Sequence, residues 1–138
     1  TFNPTIIVYA MTDELNNSTM IFLYFAIAAM TIAFDTLYGL CDIDDDKKLG
    51  INSTPIWWGS NTLKNVACFQ SMAIFLLLIV GWQAALKFIW FLGVFFLIGF
   101  YLHQHHLANQ KKYFQAFKNN HWASFYLLVL SVLCFLII

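Results

Sequence analysis

Ser18 to Thr54 reads STMIFLYFAIAAMTIAFDTLYGLCDIDDDKKLGINST. An apolar run long enough to cross a bilayer leads directly into a dense set of acids. A bilayer core needs about 20 helical residues at a rise of about 1.5 Å each, and Ser18 to about Leu40 satisfies this. Five Asp then fall within twelve residues: Asp35, Asp42, Asp44, Asp45 and Asp46.

The rest of the chain extends the membrane reading. Of its 138 residues, 61% are hydrophobic and 10% charged, against about 25% charged in an ordinary soluble domain. Val66 to Leu86, Phe88 to Ala108 and Trp122 to Ile138 are further expected spans, with a tight turn at Lys87. Phe2 to Met11 is apolar but short, like the end of a helix that starts earlier. The fold class expected is an all-α integral membrane bundle of four full helices plus the end of a fifth, all within one polytopic domain. The chain opens on Thr1, which suggests a piece of a longer protein. The connections expected are Thr12 to Asn17, Cys41 to Asn65 and Asn109 to His121.

Charge gives the orientation. All seven basic residues are Lys. If the helices alternate, Lys47, Lys48, Lys64, Lys111, Lys112 and Lys118 share one side, which the positive-inside rule makes cytoplasmic. Asp13, Glu14 and Lys87 fall on the other. Pro4 and Pro55 sit near segment ends, and Trp57, Trp58, Trp82, Trp90 and Trp122 read as interfacial belt residues. Net charge is zero, so no bulk attraction to nucleic acid is implied. Cys41, Cys68 and Cys134 have no paired or metal-ligand spacing and read as free thiols. His103, His105 and His106 read as interfacial polar residues, since no second His or Cys cluster accompanies them. Asn-x-Ser/Thr at Asn16, Asn17 and Asn52 is too short a pattern to carry weight.

The acids are not randomly placed. On a continuous helix Asp35, Tyr38, Asp42 and Asp46 follow steps of three, four and four and make one stripe. Asp45 leans partly toward it and Asp44 points away. An ionised Asp well inside a membrane helix costs about 2.5–3.5 kcal/mol on insertion scales. Asp35 therefore needs a partner or a wet cavity. The cluster would also crowd the negative C-terminal end of its helix, and two Lys cannot neutralise five Asp. A multivalent cation resolves this, and oxygen-only ligands select a hard one such as Mg²⁺ or Ca²⁺. A solvated acidic loop accounts for Asp44 and Asp45 but predicts neither Asp35 nor the stripe. An EF-hand starting at Asp42 fails at its sixth position, Lys47, and its twelfth, Ser53. Mg²⁺ prefers one or two carboxylates plus phosphate oxygens, so the spacing suits a diphosphate. Lys47 or Lys48 could add a point charge to its phosphates. Gly50 would allow a tight turn, and Ser53 or Thr54 could cap the next helix ahead of Pro55.

At these residues the chain resembles the UbiA family of membrane prenyltransferases, in its 4-hydroxybenzoate polyprenyltransferase branch. That branch carries a motif close to Y-D-T-x-Y-A-M-V-D-R-D-D-D-x-K-I-G-I-K-S-T-A-I-x-x-G. Asp35, Thr36, Tyr38, Asp42, Asp44, Asp45, Asp46, Lys48, Gly50, Ile51, Ser53, Thr54, Ile56 and Gly59 match in register. Phe34, Gly39, Asn52 and Pro55 depart from it, and Asn52 removes a positive charge from the phosphate region. Gln104, Ala108, Asn109, Phe114, Ala116, Phe117, Asn119 and Asn120 are similar to a second stretch, Q-x-x-L-I-A-N-x-x-x-x-x-C-F-x-A-F-x-N-N, with Lys112 in its basic part.

The resemblance implies a nine-helix fold of which this is the C-terminal part, in a bacterial inner membrane with its active site toward the cytoplasm. It implies Mg²⁺ on Asp42 and Asp46, polyprenyl diphosphate and 4-hydroxybenzoate as substrates, and a place in ubiquinone biosynthesis. Asp35, Tyr38 and Lys48 become the expected catalytic residues, with Lys47 and Lys48 toward the diphosphate. A first motif, N-D-x-x-D-x-x-x-D, is implied on an earlier helix, so this chain alone is expected to be inactive. Other acceptors (a naphthoate, haem or a glycerolipid) and a non-catalytic lipid-binding role are the competing readings.

Overall fold

The computed structural model describes residues 18–137. The expected end of a preceding helix at Phe2 to Met11, the connection Thr12 to Asn17, Pro4, Asp13, Glu14, Asn16 and Asn17 lie outside these residues. Among the described residues the chain is helices joined by short turns, with no strand: α1 (Ser18–Cys41), α2 (Ile43–Leu49), α3 (Thr54–Trp58), a 3₁₀ turn (Gly59–Asn61), α4 (Thr62–Gln83), α5 (Phe88–Asn109) and α6 (Tyr113–Ile137). Three stretches are long and apolar enough to cross a membrane: Ser18–Cys41, Thr54–Gln83 and Phe88–Asn109.

The helices pack through small residues. Ala26, Ala29 and Ala33 are buried at steps of three and four on α1, facing α4, its main neighbour. Without a hydrophobic drive between helices in lipid, such residues let backbones approach and gain dispersion contact. Large apolar side chains instead point outward, among them Phe25, Phe75, Phe95 and Phe96, as a lipid-facing surface requires.

Three expectations change. The connection Cys41 to Asn65 is almost entirely helical, because α2, α3 and the early start of α4 occupy it. The connection Asn109 to His121 shrinks to three residues, and Trp122 to Ile138 is the later part of the 25-residue helix α6. Lys111 stops α5 in the left-handed region at φ 59°, and the Lys112 and Lys111 amides close the turn onto the Leu107 and Ala108 carbonyls. Trp90 is not a belt residue: it is 5% exposed and donates its indole N–H to the Leu77 carbonyl at 2.9 Å. Trp57 and Trp82 are exposed as a belt reading expects. The turn at Lys87 is present, with Ala85 at φ 51°.

Two departures from the family motif meet in space. A Cβ built on Gly39 would stand 3.0 Å from Cγ of buried Pro55, so the proline ring takes the room that an alanine at 39 would need. Gly→Ala inside a helix ordinarily gains about 1 kcal/mol. Gly39→Ala is expected to lose that gain, and Gly39→Ala with Pro55→Ala to recover it. Thermal unfolding midpoints of the four proteins check this, and additive midpoints would show the positions to be independent.

Candidate active site

The expected stripe of acids is divided between two helices. α1 ends at Cys41, Asp42 takes φ −104°, ψ 7°, and α2 begins at Ile43. The Asp45 and Asp46 amides then bond the Asp42 carbonyl at 3.0 and 2.9 Å. This break corrects the electrostatic expectation. Asp44, Asp45 and Asp46 form the first turn of a new helix, with Lys47 and Lys48 in its last turn. Both signs thus complement its dipole, instead of crowding the negative end of α1. Gly50 ends α2 at φ 69°, with the Ile51 amide returned to the Asp46 carbonyl at 2.9 Å. Only a residue free of a Cβ adopts that turn without cost.

Tyr38 and Asp46 flank the break at Asp42. Tyr38 stands one helical turn before Asp42, and the negative charge of Asp42, and more weakly that of Asp46, acts on its hydroxyl. Asp35 is exposed on the open face of α1. Among the described residues no three His, Cys, Asp or Glu side chains converge as a metal site; Asp42 and Asp46 lie one turn apart, the Asp46 amide bonding the Asp42 carbonyl. Lys48 pairs with Asp45 at 2.9 Å, both well exposed. An exposed pair of this kind is weak and leaves Lys48 able to reorient toward another anion. Lys47 is exposed as well. Ser53 holds the N-cap position of α3, but its hydroxyl makes no capping bond and is buried without a partner. The cap role anticipated for it is therefore not realised.

The donor chemistry fits a hard divalent cation. Two carboxylates one helical turn apart match the one or two that Mg²⁺ takes from protein when phosphate and water supply the remaining ligands. Soft donors are absent from the pair: Cys41, Cys68 and Cys134 are free thiols. His105 and His106 bond Gln70 and Gln110.

Sequence reasoning singled out Tyr38 among the aromatics. It missed Phe117, which arrives from α6. The Phe117 ring stacks on Phe34 at 4.7 Å and lies 5.1 Å from the Tyr38 ring. Phe114 continues the stack at 6.4 Å, with Lys118 over it. These contacts place the start of α6 beside the end of α1. The connections carrying Lys47, Lys48, Lys111 and Lys112 therefore lie at one end of the bundle, as helix alternation predicts. A groove of about 360 Å³ runs between α1 and α6 from Phe34, past Met30 and Ile27, with Leu127 and Leu128 opposite. Only the matching F-x-A-F-x-N-N stretch signalled Phe117, and that pattern does not say what the ring touches.

Comparison with known proteins adds a second line of evidence. Residues 1–131 match the family model described as the UbiA prenyltransferase family. A 4-hydroxybenzoate octaprenyltransferase of Marinobacter nauticus is 37% identical over 119 residues, covering 84% of this chain and 40% of that protein. One from Shewanella woodyi is 39% identical over 102 residues, covering 72% of this chain and 36% of that protein. One from Alcanivorax borkumensis is 36% identical over 104 residues, covering 73% and 36%. The chain thus spans about two fifths of the length of the curated relatives it matches. No solved structure matches it.

Proposed function

The chain belongs to the UbiA prenyltransferase family, and on that premise we propose that it carries part of the active site of a membrane 4-hydroxybenzoate polyprenyltransferase. The observation that supports this most is Asp42 and Asp46 one turn apart at the end of α1, beside the aromatic cluster of Phe34, Tyr38 and Phe117. Asp42 and Asp46 would hold Mg²⁺ for the prenyl donor's diphosphate, at the end of the bundle that we assign to the cytoplasmic side of a bacterial inner membrane. The bound ion supplies charge neutralisation for the departing diphosphate. Lys47 and Lys48 add positive charge to the same group, with Lys48 released from its weak pairing to Asp45.

The isoprenoid chain follows the groove between α1 and α6, whose walls are apolar along Ile27, Met30, Leu127 and Leu128. As the allylic C–O bond ionises, the diphosphate leaves with the bonding pair. The ring carbon ortho to the hydroxyl of 4-hydroxybenzoate then attacks the cation, and that carbon loses its proton. Phe34, Tyr38 and Phe117 form an aromatic cluster at the end of α1 that leads into Asp42. Aromatic faces stabilise a cation and keep out water, which would otherwise capture it. Asp35, exposed a turn before Tyr38, contributes to substrate orientation. The product belongs to ubiquinone biosynthesis.

The relatives' names favour 4-hydroxybenzoate over a naphthoate, haem or a glycerolipid as acceptor. The test uses the complete protein in vesicles, supplied with polyprenyl diphosphate and each acceptor in turn. Prenylated 4-hydroxybenzoate should form with Mg²⁺, cease with EDTA, and return when Mg²⁺ is restored. Preferential prenylation of another acceptor would transfer the assignment to it, and no turnover with any would sink the catalytic reading.

A further inference from the structure

We propose that Phe117 is a positioning residue for the carboxylate pair, its ring holding Tyr38 against Asp42, and that a relay of amide hydrogen bonds across three helices fixes where that ring stands. The proposal rests on the metal reading of Asp42 and Asp46 given above. It concerns Gln70, Gln104 and His105, to which that reading gave no task, and gives Phe117 one beyond facing the cation.

The relay can be read in one direction only. The Ala116 carbonyl can accept but not donate, so the amide nitrogen of Gln104 must donate to it, at 2.8 Å. That turns the Gln104 carbonyl oxygen toward Gln70, whose amide nitrogen donates to it. The Gln70 oxygen is then left facing His105, so the His105 Nε2 carries the hydrogen it donates, at 2.9 Å. One backbone carbonyl thus sets both glutamine orientations and the histidine tautomer. The chain of bonds crosses from α5 to α4 and back to α5 before reaching α6, and its last acceptor is the residue directly before Phe117.

The glutamines are costly to place here. Gln70 and Gln104 are 3% and 1% exposed, amid Val66, Ala108 and Ala116. Buried amides without partners cost several kcal/mol on transfer scales, and apolar side chains of similar volume would fill the same space. What apolar packing lacks is direction. A satisfied polar network selects one arrangement among the many that close packing allows. Asn119 adds a second tie, donating to the Phe100 carbonyl at 2.9 Å, so the first two turns of α6 are pinned to α5 on both sides of Phe117. Its ring reaches back to α1, stacks on Phe34 and lies tilted against Tyr38 at 5.1 Å. Tyr38 is about half exposed and would otherwise sample other rotamers. The Phe117 ring, 5.1 Å away, restricts it to the rotamer that keeps it beside Asp42, one helical turn on.

The experiment uses the complete protein in nanodiscs, labelled with 3-fluorotyrosine, with the Tyr38 resonance assigned by its loss in Tyr38→Phe. Mn²⁺ affinity in the presence of inorganic diphosphate is read in parallel by electron paramagnetic resonance. Phe117→Leu should move the Tyr38 fluorine resonance, by removing the ring current, and weaken Mn²⁺ about fivefold. Phe117→Tyr should preserve both. Gln104→Leu should reproduce the Phe117→Leu effects, and the double variant should be no worse than Phe117→Leu alone. A Tyr38 resonance indifferent to Phe117→Leu, or losses that add in the double variant, would overturn the proposal. Should Gln104→Leu fail to fold, the comparison of Phe117→Leu with Phe117→Tyr decides the matter. Asp42→Asn separates the two claims. Unchanged Mn²⁺ affinity there sinks the metal reading, whereas lost affinity there with wild-type affinity in Phe117→Leu sinks the positioning role alone.

Discussion

Asp42→Asn lowers Mg²⁺-dependent prenylation of 4-hydroxybenzoate by the complete protein at least about a hundredfold, an effect of about 2.7 kcal/mol on the transition state. The substitution removes one of two carboxylates from a pair that must balance a divalent ion on a leaving diphosphate, and charge stabilisation of that kind is commonly worth several kcal/mol. The local fold gives the variant unusual clarity. Asp42 sits at the N-cap of α2 without a side-chain capping bond, and Asn serves as an N-cap as well as Asp does. The helix therefore persists, and the loss reports on charge at the site. Asp46→Asn should behave alike, whereas Asp44→Asn, exposed in the first turn of α2, should stay within about threefold of wild type as befits a surface change. Initial rates over a Mg²⁺ titration check the series. Turnover of Asp42→Asn near the wild-type rate would remove the metal role from this residue.

Gly81→Ala is expected to be the most destabilising single methyl in the chain. An added Cβ would meet Cδ1 of Trp90 at 2.3 Å and its Nε1 at 2.6 Å, with Cζ of Phe91 at 3.3 Å. The indole is rigid and buried, so it cannot yield by a rotamer change at its tip. Moving it would also break the Trp90 bond to the Leu77 carbonyl, which leaves a buried donor without a partner. Overpacking costs about 1–3 kcal/mol and an orphaned buried donor about 1–3 kcal/mol more, far above the roughly 1 kcal/mol of helix propensity gained. Unfolding of the purified protein in mixed detergent micelles should show a loss of about 2–4 kcal/mol by those same figures. Trp90→Phe in the Gly81→Ala background should recover part of it, because the smaller ring frees the space. A Gly81→Ala protein as stable as wild type would show that the α4–α5 hairpin can open at no cost.

Much of this was legible in advance because it depends on local properties. A run of apolar residues long enough to span is recognisable without knowing its neighbours, and three of the expected spans correspond to Ser18–Cys41, Thr54–Gln83 and Phe88–Asn109. The periodicity of Tyr38, Asp42 and Asp46 likewise follows from one helical turn. Boundaries were less readable where the usual signal is missing. α5 stops at a left-handed Lys111 with no glycine to announce it. The polar stretch through Lys118 and His121 looks like a loop but is helical, since its amides bond the carbonyls of α5 and of its own helix.

Residue types and their order alone make this chain a membrane helix bundle, space Asp42 and Asp46 one turn apart, and put all its lysines but Lys87 toward one end. Those properties follow from transfer energies and helical period, which act residue by residue. The tertiary structure alone decided that α1 breaks at Asp42, so that three acids begin a helix instead of ending one. It also turned Trp90 inward, set Pro55 against Gly39, and brought Phe117 onto Tyr38 from the far end of the chain. Each of these is a contact between residues distant in sequence or a choice between backbone states of similar energy. Such choices are made by what the neighbouring helix presents, and no local pattern records them.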